Sequence, residues 1–263
     1  MFSFQLFSQL LVSGIVIGSS YALLSVSFGV IYATTRIFHF AHAIAYTVAS
    51  YASVTALAKA GLPLWLALMV GLVVAVALGI LIELAAYRPM RRRGASTLAL
   101  FLTSLGLTIA GSNLIQIVFG PENKPLPGFP MKTFAVGAVT FTNLHLLTVI
   151  VSWVCIFGVV VFLKKTKYGK ATRAAQSNQQ MAMAVGIEMD GVSLLVFMLG
   201  SVLVGVSALL FTLGGVASPN MGLSPILIGF IGVFLGDRER FRRSARRLRA
   251  RSGYLVVRSV AEW

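Results

Sequence analysis

Charged side chains are scarce in this sequence. Asp, Glu, Lys and Arg make up 11% of 263 residues, against about 25% in an ordinary soluble domain. Such a deficit excludes a water-soluble globule as the body of the chain. A single cysteine, Cys155, lies inside an apolar run, so no disulfide framework or thiolate metal site can be built. Carboxylates number only seven, which disfavours both an acid–base enzyme and an intramembrane proton relay. No G-x-x-x-x-G-K-[ST] occurs, so the chain does not bind ATP by that motif. Met1 to Thr35 carries no charge, and the basic start of a cleaved signal peptide is therefore missing.

What fills the chain instead is apolar: 57% of residues are hydrophobic and the mean hydropathy is +0.89. Several runs reach the roughly 20 residues that a bilayer-crossing helix needs. The expected fold is all-α, a polytopic transmembrane helical bundle with spans near 8–32, 39–58, 63–86, 96–119, 143–163 and 191–215. A seventh apolar run covers about 223–236. The net charge of +15 does not indicate nucleic-acid binding, because the basic residues before Asp237 sit in short loops rather than on one shared face. Loops rich in Lys and Arg stay cytoplasmic. That rule puts 87–94, 164–173 and Arg36 inside, and Lys59 and the N-terminus outside.

The external loop 120–142 is stiffened by four prolines in its first half, and FAVGAVTF around Gly137-Ala138 predicts a small hairpin. Gly14, Gly18 and Ala22 in span one, like Ser201 and Gly205 in span six, fall four apart, a spacing that lets helices approach closely in lipid. In span four, Thr103, Ser104, Thr108, Ser112, Asn113 and Gln116 place polar groups at membrane depth. They predict either a solute path or hydrogen bonding between helices.

RIFHFAHAIAY (36–46) contains His39 and His42 in H-x-x-H spacing, suggestive of metal ligation, but zinc requires three or four ligands. The acids before the tail are Glu83, Glu122, Glu188 and Asp190. Glu83 is expected to pair with Arg88, and the others lie in loops. TKYGKATRAAQSNQQMAMAVGIEMDG (166–191) is too polar to span. Ala171 to Val185 is rich in helix formers and Gly186 is a plausible stop. The segment predicts a short exposed helix suited to docking into a groove on another protein, the other reading being a solvated basic loop.

FHFAHAIAY, YRPMRRRGASTLALFLTSLGLTIAGSNLIQIVFGPE and TKYGKATRAAQSNQQMAMAVGI, taken together and in order, resemble the permease subunits of bacterial ABC importers for branched-chain amino acids. Importers of urea and short amides are similar. The resemblance runs from about Gln5 to Gly236. It implies an inner-membrane subunit that pairs with a homologous permease, two cytoplasmic ATPases and an external substrate-binding protein. ATP would be used by those partners, with no cofactor bound by this chain. Residues 1–236 would form the permease domain, with a coupling loop at 164–190. Substrate-path candidates are Phe40 and His42 in the 39–42 region and the polar span-four residues Thr103, Ser104, Thr108 and Asn113. The resemblance further implies ATPase contact at Gly169, Arg173, Ala182, Gly186 and Ile187.

Two departures stand out. The family's N-F-A-H-G reads H-F-A-H-A here, and alanine tolerates a broken helix less well than glycine, which weighs against an unwound junction. After Gly236 the chain becomes DRERFRRSARRLRARSGYLVVRSVAEW. Residues 237–263 are read as an atypical tail outside the fold, the product of a frameshift or truncation, or else a basic segment held on anionic lipid headgroups. A stand-alone channel or secondary transporter is the alternative to an importer subunit, and an intramembrane enzyme is a third reading.

Overall fold

The computed structural model describes residues 4–126, 128–137 and 139–236; the expectations attached to 237–263 lie outside the described residues. In chain order the helices are α1 (Phe4–Thr35), α2 (His42–Ala58), α3 (Leu64–Arg92) and α4 (Thr97–Phe119). Next come β1 (Lys124–Pro125), β2 (Thr133–Val136) and β3 (Val139–Thr142), then α5 (Asn143–Lys165). The helices α6 (Lys167–Ser177), α7 (Gln179–Ala184) and α8 (Met189–Gly214) lead to β4 (Val216–Ala217) and α9 (Leu223–Gly236).

Local chemistry sets these boundaries. Ser96 caps α4, its hydroxyl accepting from the Ala99 amide, and the helix ends at Gly120 with φ 85°. Thr142 and His145 form a reciprocal capping box at the start of α5, satisfying two amides that would otherwise lack partners. The predicted hairpin forms, β2 against β3 in the register Val136↔Val139, with Gly137 at φ 60°.

Five helices, α1, α3, α4, α5 and α8, are long and apolar enough to cross a membrane. The chain is an all-α polytopic membrane protein. Among the described residues, the six to seven crossings read from hydropathy become five full-length helices plus two short apolar ones. Helix α2 has 17 residues, about 26 Å at 1.5 Å per residue, and α9 is shorter still. Apolarity alone cannot show that Arg36 to Ala41 is not helical, so the predicted second span began three residues too early.

The bundle has two distinct ends. Gln9 of α1 bonds the Thr140 backbone in the hairpin, and β1 pairs with β4, gathering the 120–142 loop at one end. At the other, the Arg36 guanidinium donates to the Gln176 carbonyl, and arginines of α3 meet Asp190 at the start of α8. The basic clusters thus share an end, as the charge pattern required.

Helices α2, α3 and α8 pack through a stripe of small residues. A Cβ at Gly71 would overlap Ser53 and the Ala49 carbonyl, and one at Gly79 would overlap Ser201. Gly205 lies against Leu72 and Ala75. The predicted close approach holds for Ser201 and Gly205 but not for Gly14 and Gly18, which have open space around them.

Candidate functional site

Arg36 ends α1 with φ 59°, a left-handed turn uncommon for a residue with a side chain. Residues 37–41 then run inward without helical structure, and α2 starts at His42. Depth is given by contacts: the His42 Nε2 lies 2.6 Å from Ser27 Oγ, and that hydroxyl donates to the Gly200 carbonyl at 2.8 Å. Gly200 sits near the middle of α8. So the junction is unwound despite Ala43, and it penetrates the bundle rather than turning at its surface. The physical reason lies in the turn before α9: close approach at Ala43 is provided by Gly222, where a Cβ would overlap the Ala43 carbonyl.

Gly222 opens α9. From there α9 follows α1 toward the basic end, Gly229 against Leu24 and Phe234 against Tyr32. Helix α2 runs the other way, Tyr51 reaching the Glu122 carbonyl at 3.4 Å. Two short helices therefore begin side by side inside the bundle and point in opposite directions. Their amino ends carry partial positive charge, and broken helices are tolerated at this depth where they are buried in protein or line a water-filled cavity.

His39 and His42 are both fully enclosed, 1% and 0% exposed. Ser27 uses its one proton on Gly200, so His42 Nε2 must donate to it, leaving Nδ1 as an acceptor without a partner among the described residues. His39 Nδ1 meets the Tyr87 hydroxyl at 2.9 Å, and its Nε2 likewise has no partner. The two rings lie 5.0 Å apart. Among the described residues no third His, Cys, Asp or Glu joins them.

Of the other path positions, Ser104 is fully buried and accepts the Ala41 amide at 2.9 Å, tying α4 to the junction. Phe40 packs among Phe28, Phe101 and Phe230. Thr103, Thr108 and Asn113 bond the carbonyls of Ala99, Ser104 and Ile109 on their own helix. Span-four polarity is thus mostly absorbed within α4, and Asn113 is exposed. A cavity of about 350 Å³ lies instead between α1, α2, α5 and α8, with Ser20, Tyr21, Tyr46, Thr148 and Ser207 supplying hydroxyls. Sequence reading missed it; the signal was hydroxyl side chains recurring at membrane depth on four separate helices.

Glu83 does not pair with Arg88. Both of its oxygens accept from Arg91, while Arg88 and Arg92 hold Asp190. The cause is a π-helical turn, Glu83–Tyr87, in which the Arg88 amide reaches the Glu83 carbonyl. Pro89 has no amide and its ring crowds the carbonyl four residues back, which favours a widened turn. One extra residue in that turn brings Arg91 onto the face of Glu83.

In the docking segment the single helix expected over Ala171–Val185 is two. Asn178 breaks it because its side chain caps α7, accepting from the Met181 amide at 3.1 Å. The Ala182, Gly186 and Ile187 positions make one cap: Ile187 donates to the Ala182 carbonyl, Gly186 to Met183, and Gly186 has φ 86°. That is the Schellman pattern. Ala182 is buried while Met181, Met183 and Val185 are exposed. Arg173 is exposed, and Gly169 allows α6 to fold tightly onto Leu163.

A bundle of membrane-length helices, an interior junction of two opposed short helices and a structured loop at the basic end define a multi-pass membrane protein. The family profile described as branched-chain amino acid transport system / permease component matches residues 10–245, and the chain belongs to that family. It is 29% identical over 242 residues to the high-affinity branched-chain amino acid transport system permease protein BraD of Pseudomonas aeruginosa, covering 87% of this chain and 78% of that protein. With the corresponding LivH of Escherichia coli K12 it shares 28% over 247 residues, 89% and 80% of the two chains. A probable LivH of Methanocaldococcus jannaschii is 28% identical over 202 residues, 74% of this chain and 63% of that one. No solved structure matches significantly.

Proposed function

We propose that this chain is the membrane-spanning subunit of an ABC importer that moves branched-chain amino acids or related small polar solutes into the cytoplasm. A homologous permease completes the membrane unit, two ATPases dock at the basic end and use the ATP, and an external binding protein delivers solute. The chain itself binds no cofactor. In this reading it lies in the bacterial inner membrane with its N-terminus external. The observation that carries the proposal is the α6–α7 pair, which presents Tyr168, Met181, Met183 and Val185 to solvent on helices otherwise capped and anchored. An exposed apolar ridge on a rigid mount suits a protein groove, and a stand-alone channel has no need of one. The path is less localised. Phe40, His42, Ser104 and their α4 neighbours remain candidates, and the hydroxyl-lined cavity, which has no Asp, Glu, Lys or Arg among its described lining residues, suits a solute without net charge.

The test is co-purification with the ATPase subunits of the importer. Met181→Glu and Val185→Glu change only exposed positions, so the fold is expected to survive. Association should weaken about tenfold or more, since such anchors dominate interfaces. Undiminished association of both variants would sink the proposal.

A further inference from the structure

The widened turn Glu83–Tyr87 touches both features that the importer reading needs to connect. Toward the basic end its Glu83, 0% exposed, is held by Arg91. The adjacent Arg88 and Arg92 grip Asp190 at 2.9 and 2.8 Å. Asp190 is the second residue of α8, directly after the cap of α7. Toward the interior, the Tyr87 hydroxyl meets His39 at 2.9 Å. Phe197 of α8 lies against both rings, 4.9 Å from His39 and 5.4 Å from Tyr87. One turn of α3 thus joins the exit of the docking segment to the unwound chain that starts α2.

π turns recur at functional sites because the extra residue can be passed along a helix or lost, giving the segment two discrete arrangements. Either change would rotate Tyr87 relative to the arginines that follow it. We propose that this turn is the joint through which movement of α6–α7 reaches the His39–His42 junction, with Tyr87 a positioning residue for transport. It rests on the importer reading, in which ATPase motion must arrive somewhere in the membrane and shift the balance between two states.

Two measurements test it. In the assembled importer, reconstituted with its ATPases and binding protein, Tyr87→Phe removes only the hydroxyl. Solute uptake per ATP hydrolysed should fall about five- to thirtyfold, the scale of one buried interaction, with ATPase association and hydrolysis rates kept. His39→Asn, which retains a side chain able to meet the hydroxyl, should preserve more of the ratio than His39→Ala. An unchanged ratio, or uptake and hydrolysis falling together, would overturn the joint. The second measurement needs only the purified chain, and so separates this inference from the importer reading. In a Cys155→Ser background, a cysteine introduced at the buried Ala41 should react with maleimide several times faster when Asp190→Asn loosens the arginine grip. Labelling indifferent to Asp190 would show that the turn transmits nothing.

Discussion

Replacing Arg91 by leucine is expected to destabilise the fold by ~3–5 kcal/mol, the cost of breaking a buried pair from one side. Arg91 supplies both hydrogen bonds to the Glu83 carboxylate, whose side chain is 0% exposed. With the guanidinium gone, the enclosed carboxyl group would lose both of its hydrogen-bond donors. The double variant Arg91→Leu, Glu83→Leu should recover most of the loss, because replacing both members of such a pair by apolar groups is often close to neutral. Thermal unfolding of the purified chain in detergent would measure both. Equal destabilisation of single and double variants would mean that the arginine acts through its other partner, Asp190, 3.7 Å away.

Gly79→Leu is the second large effect, at about 3 kcal/mol. The helices α3 and α8 approach so closely here that even a Cβ at Gly79 would overlap Ser201. Helices in lipid gain little from hydrophobicity and associate by packing, so spreading this contact removes what joins them. The control is Gly106→Leu on α4, where no atom lies within 4 Å of the added Cβ. That variant should stay within about 0.5 kcal/mol of the parent, as substitutions away from packed features do. Comparable losses at both positions would show that the glycine stripe is not where the bundle is held. Ser201→Ala, which discards a hydroxyl without a partner among the described residues, should partly relieve a Gly79→Ala variant.

Much of this could be read along the chain because its causes are local. Long apolar runs become helices, since every backbone polar group must be satisfied within lipid. The hairpin turned at Gly137, and Gly186 ended α7 as expected of a residue able to adopt positive φ. Even Ala182 and Ile187, first marked only by resemblance, acquire a local reason as the two ends of one cap. Asn178 was legible too, as a preferred capping residue, but its flanks read as one helix. By contrast, the role of the polar residues of α4 could not be read along the chain. Thr103, Thr108 and Asn113 bond their own helix, and composition cannot tell that from a row of groups facing a path.

The sequence by itself determined the class of fold, which end carries the positive charge and where the short polar helices between the apolar ones lie. Periodicity, charge and capping each act over a few residues. Only the tertiary structure decided the interior. His39 meets Tyr87 across 48 positions and Ser27 meets Gly200 across 173, while Gly222 makes room for the Ala43 carbonyl. None of these partners is implied by its neighbours in sequence. They are selected by which helices touch and at what depth, and that depends on packing small residues across the whole bundle at once.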